Sequence, residues 1–197
     1  MSIIKKSLSE QIIEAATIGS AEQLNILIKQ SKNLISCSDY TEALKYASLE
    51  GHAECVKLLI PVSDPKANES IALLTASNCG HAECVKLLIP VSNVKANNSQ
   101  ALSYAAVAGH LECVKLLIPV SNPKSNKSRA LLWAAEVNRY DCIKLLLPYS
   151  DISKWNDYTW QHVDHDIKQN ILSYYSKVSL MCNISTNNNK TKKSHKI

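Results

Sequence analysis

Apolar residues recur along this chain three and four positions apart, with polar residues between them, which is the spacing of amphipathic helices. The stretch from Ser99 to Lys124 shows one full cycle. Ala101, Leu102, Ala105 and Ala106 share one side of a predicted first helix, with Ser99 placed to cap its first turn. The alanines are small, so a neighbouring helix can approach closely. Gly109 predicts the end of that helix, because a tight C-terminal cap favours a left-handed residue. His110 opens a second helix whose buried side is Cys113, Val114, Leu116, Leu117 and Ile118, while Glu112 and Lys115 stay in water. Pro119 lacks the amide hydrogen a continuing helix needs, and Ser121-Asn122-Pro123-Lys124 reads as a turn.

This cycle repeats. Gly51-His52, Gly80-His81 and Gly109-His110 stand 29 residues apart, and each opens the phrase Glu-Cys-Val-Lys-Leu-Leu-Ile-Pro after one intervening residue. A fourth copy follows Asn138-Arg139 and runs from Tyr140 to Pro148; a diverged one lies upstream at Ala15 to Ile28. One helix pair cannot bury its own apolar face, whereas stacked pairs bury a continuous core. The predicted architecture is an all-α solenoid of stacked antiparallel helix pairs with short inter-repeat turns and helical caps at both ends. Its segments are an N-terminal capping repeat (1–37), four 29-residue repeats (38–66, 67–95, 96–124 and 125–154), a C-terminal capping helix region (155–178) and a flexible basic tail (179–197).

The phrase Ala-Leu-x-x-Ala-Ala-x-x-Gly-His-x-Glu-Cys-Val-Lys-Leu-Leu-Ile resembles the ankyrin repeat over roughly residues 9 to 154. The usual ankyrin period is about 33, with a Thr-Pro-Leu-His opening. Here the opening is Ser-x-Ala-Leu, Thr41-Glu42-Ala43-Leu44 in one copy, and the loop Ile60 to Lys66 stands where a long finger would be. The resemblance implies a module that binds proteins through its first-helix face and turns. Short-finger arrays are similar to those of intracellular bacteria and large DNA viruses, which implies an inhibitor or adaptor acting on host or competitor proteins. The resemblance also makes His52, His81 and His110 structural, bridging turn and backbone.

Composition narrows the chemistry. Aromatic residues make up 6%, Phe is absent and Gly numbers 4, which disfavours a large β-sandwich or a Gly-rich nucleotide site. Met1 to Lys6 carries two lysines but no apolar run follows, and no stretch approaches the ~18 apolar residues of a membrane span. The expected location is the cytoplasm, of the producing cell or of a host cell, with the 7 cysteines reduced. Cys55, Cys84, Cys113 and Cys142 recur once per repeat, so a solenoid sets them in a ladder ~10 Å apart, too far for one zinc site or a disulfide. They read as small core residues. Cys79 has no cysteine at its equivalent positions and belongs to the variable side of the first helix; Cys37 and Cys182 carry no pattern. His162 and His165 make half a metal site at most, so no metal, cofactor or catalytic residue is expected. Asn-x-Ser at Asn68, Asn97 and Asn126 reads as turn and cap chemistry rather than glycan acceptors.

Net charge is +5, a mild excess. Lys57, Lys86, Lys115 and Lys144 form a ladder that, with the basic tail, supports an alternative: nucleic-acid binding. Each of these lysines has an acidic residue three positions earlier, and no aromatic residues interleave, so nucleic acid is the weaker reading.

Positions that differ between repeats are free to carry specificity. Carried over residue by residue, the ankyrin contact face comprises Leu49, Glu50, Asn78, Cys79, Val107, Ala108, Glu136 and Val137, edged by Tyr40, Glu69, Asn98 and Lys127. Glu42 and Arg129 join it from the next differing row. Trp133 and Tyr104 are expected to pack between repeats. The aromatic C-terminal part, with Trp155, Tyr158, Trp160, Tyr174 and Tyr175, reads as a cap over the last repeat or as a second contact surface for self-association.

Overall fold

The computed structural model describes residues 6–31 and 34–193, those after 181 by backbone alone. Helix pairs follow one another along the chain: α1 (Leu8–Thr17) with α2 (Ala21–Gln30), α3 (Cys37–Glu50) with α4 (Ala53–Leu59), α5 (Ala67–Cys79) with α6 (Ala82–Leu88), α7 (Ala96–Ala108) with α8 (Leu111–Leu117), and α9 (Ser125–Glu136) with α10 (Tyr140–Leu146). The short α11 (Asp157–Trp160) and the long α12 (His165–Lys193) complete the chain, and no strand occurs among the described residues. The architecture is the expected all-α solenoid.

The first helices form one layer and the second helices another. Neighbouring first helices pack along much of their length, while neighbouring second helices meet at fewer points. The cause is the alanine side: Ala43, Ala47, Ala72, Ala76, Ala101, Ala105, Ala130 and Ala134 are all buried. Small side chains let the first-helix axes close up, and the first-helix side becomes the inner side of the stack. Between the layers lie Leu44, Leu73, Leu102 and Leu131 from the first helices and Leu59, Leu88, Leu117 and Leu146 from the second, each at most 1% exposed. Of the second-helix side read from the sequence, Leu116 alone is only half-buried.

Each second helix stops as expected, with one refinement. The α-helix ends at Leu59, Leu88, Leu117 or Leu146, and the proline then sits inside a single 3-10 turn, such as Ile118–Val120. Proline fits near the start of a helical turn because its missing donor would be unpaired there anyway.

Two polar devices recur along the array, one between repeats and one within each. In the first, a histidine reaches back. The His81 imidazole Nε2 lies 2.8 Å from the Leu49 carbonyl oxygen, and His52 and His110 meet Thr17 and Asn78 at 3.0 Å. Each ring lies on the glycine that ends the preceding first helix. A Cβ at Gly80 would fall 2.4 Å from His110 Nδ1, and Gly80 already holds a left-handed φ of 81°. The glycine is therefore required twice, by backbone and by space. The ends of the array follow the same logic. Gly19 is followed by Ser20 and receives His52 without reaching back itself. Arg139 reaches back, its Nε donating to the Val107 carbonyl at 3.0 Å, while Asn138 takes the glycine's place at φ 59°.

The second device corrects an expectation. Ser99 does not cap the first helix. It is buried, at the end of a left-handed turn formed by Asn97, Asn98 and Ser99 (φ 46°, 60° and 61°), and its Oγ accepts the N–H of Asn122, in the turn that closes the same repeat, at 2.9 Å. Ser70 accepts from Asn93 at 2.8 Å, Ser128 from Asp151 at 2.7 Å, and Thr41 from Asp64 at 2.9 Å. The serine of each Asn-x-Ser thus clamps the start of a first helix to the turn that closes its own repeat. A short turn precedes it, in which the Asp64 carboxylate accepts the Lys66 N–H at 2.9 Å, and these residues replace a finger. In α3, by contrast, Ser36 and Asp39 form a reciprocal capping box and the helix runs unbroken.

The end elements cover the stack. Ser7 and Glu10 cap α1, whose Ile12, Ala15 and Ala16 are fully buried. At the other end Trp155 is buried and its indole N–H donates to the Lys127 carbonyl at 2.6 Å. Ile167 and Ile171 of α12 are buried, and the Tyr175 hydroxyl donates to the Leu147 carbonyl at 3.2 Å. Helix α12 continues without a break through Ser179; the rest of the proposed tail beyond Met181, including Cys182, lies outside the described side chains.

Candidate protein-binding face

The residues that tempt as chemistry belong to the scaffold. Cys55, Cys84, Cys113 and Cys142 are at most 2% exposed, and burial pushes the Cys84 and Cys113 thiols up to about 11. A thiol held neutral is a poor nucleophile and a poor metal ligand. Among the described residues no three His, Cys, Asp or Glu side chains converge on a metal-sized site. His162 is exposed and meets the Tyr158 ring edge-on at 5.9 Å. No described helix is long and apolar enough to cross a membrane.

The lysine ladder lies on the exposed side of the second helices. Lys115 sits 2.6 Å from Glu112, and Lys57 and Lys86 sit 4.0 Å from Glu54 and Glu83. These pairs neutralise the ladder within each repeat, and exposed pairs of this kind add little stability.

The variable positions lie on the inner, first-helix side. Glu50, Glu69, Asn78, Asn98, Lys127, Glu136 and Val137 are exposed there; Glu42, Leu49, Cys79, Val107, Ala108 and Arg129 are half-buried. Tyr40 leaves the set. It is 7% exposed, and its hydroxyl is 2.6 Å from Ser31 Oγ, so it ties the N-terminal pair to α3 instead of meeting a partner.

Three concavities run along this side. One of about 300 Å³ includes Glu42 and Ile71. The next, about 520 Å³, brings Leu49, Glu69, Asn78 and Cys79 together with Leu74, Thr75, Gln100 and Tyr104. The third, about 280 Å³, holds Lys127, Arg129 and Glu136 with Trp133, Tyr158 and His162. Glu50, Asn98, Val107, Ala108 and Val137 line none of the three. Tyr104 and Trp133 do pack between repeats, their rings stacked at 6.0 Å, and they also join the second concavity to the third. The Arg129 guanidinium lies 4.3 Å over the Trp133 ring, and Gln100 donates to the Tyr104 hydroxyl at 2.7 Å. Stacking holds the guanidinium in place with its edge free for an acceptor.

Tyr158, read as part of the C-terminal aromatic cap or contact surface, and His162, read as half a metal site, were not assigned to this face, since they lie past the last repeat and have no periodic counterpart. Leu74, Thr75 and Gln100 were visible in it as repeat-differing positions.

The sequence was compared with known families and curated proteins. No curated protein matches it. A family described as "Ankyrin repeats (3 copies)" matches over residues 12–98 and again over residues 73–157. These spans cover most of the chain and all five helix pairs beyond the first turn of α1, so this protein belongs to the ankyrin-repeat family.

Proposed function

We propose that this chain is a non-catalytic binding module that captures a partner protein on its first-helix face and the adjoining turns. Ankyrin repeats generally mediate protein–protein interaction, and one observation carries the reading to this face: repeat-differing side chains line three successive concavities on one side of the array. Tyr, Trp and Arg, the residue types that dominate binding energy in protein interfaces, meet there as Tyr104, Trp133 and Arg129. The reading extends to a cytoplasmic inhibitor or adaptor acting on host or competitor proteins.

The test is capture of a partner, identified by crosslinking in cells, by the wild type and by a variant with Leu49, Val107 and Val137 all changed to Asp. The variant is expected to keep its helical circular dichroism and lose the partner. Undiminished capture would place the interface elsewhere.

A further inference from the structure

Two rows of equivalent positions on the first-helix face change charge in the same order along the array. Glu69, Asn98 and Lys127 occupy the same left-handed backbone position, with φ of 59°, 60° and 57°, and run from acidic through neutral to basic. Glu42, Ile71, Gln100 and Arg129 occupy one helical position and run the same way. Glu42 is paired with Lys45, so Glu69 is the stronger acidic point. Glu136, the acid in the basic-end concavity, lies two turns along α9 from Arg129. Between the two ends the face is uncharged, with Leu74 and Tyr104 in a concavity that also holds Thr75, Asn78 and Gln100. The second-helix side shows no such order, since a lysine and an acid three residues before it recur in every copy.

We infer that the face takes an extended, charge-segregated segment of its protein partner: an acidic residue at Lys127 and Arg129 beside Trp133 and Tyr158, an apolar residue against Leu74 and Tyr104, and a basic residue at Glu69. This rests on the reading of the face as the partner site. Its length follows from geometry. Glu69 and Lys127 are two repeats apart, about 20 Å at ~10 Å per packed helix. An extended chain rises ~3.3 Å per residue, so the basic and acidic residues of the segment stand about six positions apart. The arrangement selects segments by where their charges lie and not by net charge, because the two ends of the face oppose each other.

Two fluorescein-labelled peptides of one composition test this against the full chain. The first carries a lysine pair and a glutamate pair with centres six residues apart about a central leucine; the second alternates the same charges. The segregated peptide is expected to bind at least ~5-fold more tightly at low salt, with the gap closing near 0.5 M salt as screening sets in. A variant combining Lys127→Glu and Arg129→Glu imports the residues already held by Glu69 and Glu42 at the equivalent positions, so it is expected to fold as the wild type does. It should lose that preference and bind a peptide carrying lysines at both ends instead. Equal binding of the two isomers, no binding of either, or an unchanged preference in the variant would overturn the inference. In each of those cases, loss of partner capture by the Leu49, Val107 and Val137 variant would still leave the face itself standing as the partner site.

Discussion

The two exposed sides of this array are built by opposite rules. On the second-helix side an acid stands three residues before a lysine in every repeat, glutamate in three and Asp141 in the last, and in three of them the two pair within the repeat. On the first-helix side equivalent positions hold different residues, and charge is separated across repeats instead. A side that repeats cannot distinguish one end of a ligand from the other; a side that varies can. The buried lattice between them is nearly uniform because every copy solves the same packing problem: two buried alanines and a clamping hydroxyl in each repeat, with a glycine and a backward-reaching ring that the last repeat replaces by Asn138 and Arg139.

That contrast can be broken at the lattice first. Gly80→Ala would put a Cβ into the His110 ring at a left-handed position, and is expected to cost more than ~2 kcal/mol in denaturant unfolding. Asn138→Ala, at the same place in the last repeat, should cost only about 1 kcal/mol, since Asn138 is exposed and only the backbone preference is lost. Equal costs would mean that the ring contact contributes nothing. Ala105→Leu is expected to cost ~1–3 kcal/mol by forcing α7 away from its neighbours. Smaller still, Ser48→Ala should stabilise by about 1 kcal/mol. The Ser48 hydroxyl is buried without a hydrogen-bond partner among the described residues, and the equivalent positions Ala106 and Ala135 already hold alanine.

The cysteine ladder gives a pH signature. A buried thiol held up to about 11 against the usual 9.0 favours the neutral form in the folded state. Its contribution to stability is complete below pH 9.0 and is lost as pH rises from there to about 11. At neutral pH the exposed Cys37 should react with a thiol reagent in the native protein, whereas Cys55, Cys84, Cys113 and Cys142 should react only on unfolding, as mass spectrometry of labelled peptides can show.

Much of the fold was legible because one solution is written several times. The apolar spacing, the helix-ending glycine and the proline each announce a local event. The histidine's task depended on the family resemblance, since nothing local says that its partner carbonyl lies 32 residues back, as Asn78 does from His110. Ser99 misled for the same reason: a serine before an apolar helix favours a cap locally, and a bond to Asn122, 23 residues further on, overrode it. At the proposed face, difference between repeats pointed to the side of the helices that carries the three concavities. It could not tell that Tyr40 turns inward to Ser31, or that Tyr158 and His162 fold back to complete the last concavity.

The division between lattice and face is tested most directly by pairing His110→Ala with Arg129→Ala and measuring, for each, thermal unfolding and affinity for the captured partner. His110→Ala is expected to lower the melting temperature and leave the affinity of the folded protein unchanged. Arg129→Ala is expected to lower the melting temperature by less than His110→Ala does, since the half-buried side chain gives up only its stacking on Trp133, and to weaken binding at least ~10-fold, as loss of an arginine anchor does in an interface. If His110→Ala weakens binding without loss of stability, or Arg129→Ala is the more destabilising of the two and binds normally, the assignment of the two sets of residues is reversed.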